Sequence, residues 1–73
     1  MTLITIAIYE HEITASIVET RLAFEGIECR VFKNFGFRLT WKKDLFQKTG
    51  YEIQVLESDV EDAIKVIELF EQK

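Results

Sequence analysis

The sequence predicts a small α+β domain with the element order β-α-β-β-α, in which two helices cover one face of a three-stranded sheet. Three observations carry this. Short β-branched or alternating runs occur at 2–9, 27–34 and 51–57, and apolar residues recur at helical spacing over 12–25 and 58–73. The chain has 73 residues, 48% of them hydrophobic, with no proline to break an element. That length predicts a single domain over 1–73. A chain this short buries only about 60% of its unfolded surface, so its core is marginal. The apolar surplus then either packs densely or meets a partner.

The first strand is "TLITIAIY", residues 2–9. Strict alternation puts Ile4, Ile6 and Ile8 toward the helices, and Leu3, Thr5, Ala7 and Tyr9 on the other face. In "EHEITASIVETRLAFEG", Ala15, Val18 and Leu22 form a buried stripe that Ile17 widens, with Thr14, Thr20 and Arg21 at its polar margin. The helix is expected from about 12 to 25. Gly26 supplies a left-handed stop and Ile27 the hydrophobic contact beyond it. "IECRVFKN" (27–34) alternates again, with Ile27, Cys29, Val31 and Lys33 on one face and Glu28, Arg30, Phe32 and Asn34 on the other.

Residues 34–48, "NFGFRLTWKKDLFQK", hold Phe35, Phe37, Trp41 and Phe46 beside Arg38, Lys42, Lys43 and Lys48. Within them a short helix is expected, capped by Thr40 and ended by Gly50. "YEIQVLE" (51–57) is the third strand, with Tyr51, Ile53 and Val55 opposed to Glu52, Gln54 and Leu56. The last helix opens with Ser58 and Glu61 in the spacing of a capping box, and Asp59, Glu61 and Asp62 suit its positive end. Val60, Ala63, Ile64 and Ile67 form its buried stripe, widened by Val66, Leu69 and Phe70.

A strand–helix–strand unit implies parallel outer strands, and the third strand fills the gap between them antiparallel. That is the ferredoxin-like split β-α-β arrangement without its last strand. The outer edge of the first strand is then flat and apolar, and an edge of that kind invites pairing with another chain.

Two stretches, "TASIVETRLAFEGIECRVFKN" and "IQVLESDVEDAIKVIE", carry a family resemblance. A first helix closing on "EGI" leads to a short strand ending near an Asn. A later strand passes through an acidic turn into the last helix. In this the chain resembles a family of small bacterial domains described as prokaryotic signal-transducing proteins. The resemblance covers about half the chain. It implies a ferredoxin-like fold, similar in shape to PII-type nitrogen-regulatory proteins, and, the family being one of unknown function, it carries over no catalytic residues. Arg21 departs from the aliphatic residue usual at that place in the helix. The middle segment is aromatic and basic where the family is often glycine-rich, and the cysteine tail of some such proteins is absent.

The net charge of −4 and pI of about 4.9 argue against a general nucleic-acid binder. The charge is uneven, however: residues 30–48 carry Arg30, Lys33, Arg38, Lys42, Lys43 and Lys48 against the single acid Asp44. Such asymmetry marks a surface for an anion or an acidic partner. Cys29 faces the helices as packing, and Glu10, His11 and Glu12 are adjacent and cannot converge on one metal ion. Gly26, Gly36 and Gly50 are isolated, so no phosphate loop exists. Neither an enzyme nor a cofactor is expected. The candidate binding surface is Phe35, Phe37, Arg38, Trp41, Lys42 and Lys43: the rings to stack, the cations to meet phosphates or carboxylates. The competing reading makes the aromatics cover for the sheet face opposite the helices, or a subunit contact.

The expected function is therefore a non-enzymatic regulatory or signal-transducing interaction module that self-associates or meets a protein partner. The alternative is a binder of a small anionic ligand or single-stranded nucleic acid through 34–48. A lone cysteine, and an apolar run too short for a leader or a span, lead to the expectation of a cytoplasmic protein off the membrane.

Overall fold

The computed structural model describes residues 2–33 and 50–72. Its elements are β1 (Leu3–Tyr9), α1 (Glu12–Phe24), β2 (Cys29–Lys33), β3 (Tyr51–Leu56), a 3-10 turn (Glu57–Asp59) and α2 (Val60–Glu71). The strand least exposed to competition is β3, whose alternating residues are buried on both sides: Ile53 and Val55 on one, Glu52 and Gln54 on the other. It pairs antiparallel with both β1 and β2, giving the sheet order β1-β3-β2. The outer strands thus run parallel to each other, joined by α1, as the sequence predicts.

Strict alternation in β1 fails, and the register shows why. Thr5 aligns with Gln54 but Ala7 aligns with Ile53, so one extra residue bulges between them. Before the bulge Ile4 opposes Val55; after it Ala7 opposes Ile53 and Tyr9 opposes Tyr51. Ile6 and Ala7 both join the core beside Ile53 and Val55. Ile8 is thrown to the other face, opposite Glu52, and Tyr9 turns toward the helices. The expected placement of Ile8 with Ile4 and Ile6 is therefore corrected, and the edge is bulged rather than flat. In β2 the alternation holds, with Cys29 and Val31 packed against the core. Lys33 lies over the Tyr51 ring at 5.8 Å from its centroid.

Both helices pack on the Ile53–Val55 face. Ala15, Val18 and Leu22 of α1 and Ala63 of α2 are fully buried there, with Ile67 almost so. Helix α1 ends as its sequence predicts. Gly26 takes φ 78°, its N–H bonds Ala23 O at 3.0 Å, and the Ile27 N–H returns to Leu22 O at 2.9 Å. Ile27 and Leu22 are both buried, which supplies the hydrophobic contact of this stop. Gly50 has a different reason to be glycine: at φ 136°, any Cβ there would overlap the Tyr9 carbonyl oxygen.

Two expectations about the helices are overturned. Ile17 and Leu69 do not widen the buried stripes, because each helix presents only a narrow face to a three-stranded sheet; they are 48% and 66% exposed. Nor does Ser58 cap α2. The chain already winds as a 3-10 turn through Ser58, the helix starts from Asp59 at φ −101°, ψ 0°, and no side chain caps it. The turn's own carbonyl at Glu57 takes the Val60 N–H instead.

Candidate functional site

Phe35, Phe37, Arg38, Trp41, Lys42 and Lys43 lie outside the described residues, as do Phe46 and the helix expected after Thr40. His11 stands exposed in extended conformation as the N-cap of α1, where its side chain makes no capping bond. Among the described residues no group of three or more His, Cys, Asp or Glu side chains is placed to hold a metal ion. No helix among them is long and apolar enough to cross a membrane.

The face of the sheet away from the helices carries a buried polar row. Thr5 Oγ1 donates to Glu52 Oε1 at 3.2 Å and accepts from Gln54 Nε2 at 3.2 Å. Thr5 and Glu52 are fully buried and Gln54 nearly so. The alternation of β3 puts Glu52 and Gln54 here, and Thr5 precedes the bulge, so its side chain still follows the original phase. Arg30 and Phe32 of β2 flank the row, aligned with Gln54 and Glu52.

Two side chains at the ends of the sheet have raised pKa values. Burial, reinforced by the Glu19 carboxylate, pushes the Cys29 thiol up to about 11. A thiol so raised is a poor nucleophile at neutral pH. Burial also raises Tyr9, and its hydrogen bond and repulsion with Glu71 add to this. The Tyr9 hydroxyl donates to Glu71 Oε2 at 2.9 Å, and its ring meets Phe70 edge-on with centroids 6.3 Å apart.

The outer surface of the helix layer is unlike an ordinary solvated face. Ile13, Ile17 and Phe24 fall on one stripe of α1 by helical spacing, opposite Ala15, Val18 and Leu22. Ile13 is 71% exposed and Phe24 84%. Beside them a groove of about 680 Å³ runs between α1 and α2, bordered by Phe24 and Leu69. Arg21 and Lys65, the sole cations of the two helices, line it together with the acids Glu25 and Asp62. Sequence reasoning missed this surface because it assigned Ile17 and Leu69 to the core. The signal was available in Ile13 and Phe24, which no single buried stripe through Ala15, Val18 and Leu22 can include. Compared with protein-family models, with curated proteins and with solved structures, the chain matches none.

Proposed function

We propose that the chain is a non-enzymatic interaction module that self-associates in a regulatory or signal-transducing role in the cytoplasm. The observation that carries this reading is the exposure of Ile13, Ile17, Phe24 and Leu69 on the helix layer. Apolar patches of more than a few hundred Å² are rare on monomers and mark sites of association. The raised thiol of Cys29 supports a non-catalytic reading, since the chain's one cysteine is held in its unreactive form. The sheet order β1-β3-β2, with α1 joining the outer strands, supports a ferredoxin-like split β-α-β fold and the signal-transducing family that the sequence resembles. Sedimentation velocity on the full chain over a wide concentration range tests self-association. The expected result is a mass rising toward a dimer; a monomer throughout overturns the reading.

A second reading rests on charge. Residues 34–48 carry four cations against Asp44, beside four large aromatic rings, in a chain of net charge −4. This favours a small anionic ligand, or single-stranded nucleic acid, as the partner of that segment. Titration with nucleotides and oligonucleotides at low and moderate salt should then show salt-sensitive binding that Trp41→Ala with Lys42→Ala abolishes. Binding indifferent to salt and to both substitutions rejects it.

A further inference from the structure

We propose that the α1–α2 groove is a twofold self-docking surface. In it α1 of one copy lies over α2 of the other, with Arg21 set against Asp62 and Lys65 against Glu25 across the interface. The inference rests on the self-association reading and gives it a place and a register. Three features of the surface select a second copy as occupant.

The first is sign. The groove holds two cations and two acids, so a strongly acidic or basic partner gains as much repulsion as attraction there. A copy related by a twofold axis can instead set Arg21 against Asp62 and Lys65 against Glu25, and then does so twice, because a twofold contact uses the same patch on both subunits. The second is the rest of the helix layer. Glu12, Glu19, Glu61, Glu68 and Glu71 are all exposed, so two copies meeting elsewhere on this layer oppose acid to acid. Arg21 and Lys65 relieve that repulsion only at the groove. The third is area. Four exposed apolar side chains approach the upper end of what a monomer shows, about 300–600 Å². Together with the groove walls they supply a large part of the ~800 Å² that each partner of a stable complex contributes. Phe24, the most exposed of the four, is the natural anchor: an aromatic from one copy seated beside Leu69 of the other.

The test is sedimentation equilibrium on the full chain and on surface variants, with circular dichroism to establish that each remains folded. Phe24→Asp, at a side chain 84% exposed, should keep the fold and weaken the dimer by about 100-fold or more. Leu69→Asp provides a second probe should that variant fail to fold. Arg21→Glu should weaken the dimer about tenfold or more, and adding Asp62→Arg should restore it. A wild-type dimer indifferent to Phe24→Asp, Leu69→Asp and Arg21→Glu overturns this surface while leaving self-association intact. A wild-type chain monomeric at every concentration overturns both. Dimerisation lost in Arg21→Glu and unrestored by Asp62→Arg rejects the cross-pairing that defines the proposal.

Discussion

Thr5 holds two buried polar side chains at once, donating to Glu52 and accepting from Gln54. Replacing it with the isosteric valine keeps the volume and deletes both bonds. Leaving a buried polar group short of a partner costs about 1–3 kcal/mol. Thr5→Val should therefore lower the unfolding free energy by that amount, read as a lower urea midpoint at unchanged slope, whereas Thr5→Ser should lose much less. Cys29 makes a pH prediction. Its folded pKa lies at about 11 against an ordinary 9.0, so the folded state holds the thiol proton more tightly. The associated stability is complete below pH 9.0 and is lost as pH rises toward 11. Alkylation of the native protein, followed by mass spectrometry, should be slow at neutral pH and rise with a midpoint near 11. A midpoint at or below the ordinary value would contradict the burial argument. The polar row was half legible in the sequence. Alternation in "YEIQVLE" places Glu52 and Gln54 together, but no local pattern announces that Glu52 is completely buried.

The helix ends show what sequence can and cannot specify at the scale of an element. The stop of α1 was legible because Gly26 and Ile27 are local signals for a local geometry. The start of α2 was not. Ser58 and Glu61 have capping-box spacing, yet a preceding 3-10 turn moves the cap one residue on, and nothing in "ESD" distinguishes the two outcomes. Ser58→Ala should consequently change stability by less than about 0.5 kcal/mol, not the ~0.5–2 kcal/mol of a lost cap. His11 offers the converse experiment. It occupies the N-cap of α1 with extended angles, φ −110° and ψ 135°, and forms no capping bond. His11→Ser should raise the denaturation midpoint, by about 1 kcal/mol in stability. The same change at an already capped helix would do nothing.

For the whole molecule, self-association and stability are one measurement. Anything that binds the folded chain and not the unfolded one stabilises it by mass action. A self-docking chain should melt at a temperature that rises with protein concentration, and Phe24→Asp should flatten that dependence without lowering the midpoint of the dilute wild type. Calorimetry across a concentration series reads both. The order of elements and the sheet order were legible at this scale because hydrophobic period and short connections restrict the arrangements available. The helix-layer surface was not, because α1 is apolar on two sides. Ala15, Val18 and Leu22 are buried while Ile13, Ile17 and Phe24 are exposed, and periodicity alone cannot choose which side meets the sheet.

The bulge in β1 governs how the first strand finds its alignment. "LITIAIY" is nearly uniform, so sliding it by two residues along β3 would pair similar side chains at little cost. The extra residue between Thr5 and Ala7 removes that freedom, because a slid strand would carry its kink to the wrong place. It also turns Tyr9 to the side where Glu71, 62 residues later, accepts a hydrogen bond from its hydroxyl. Deleting Ile6 alone should therefore unfasten the far end of the chain from its beginning: a frameshift in space, felt where the last helix closes.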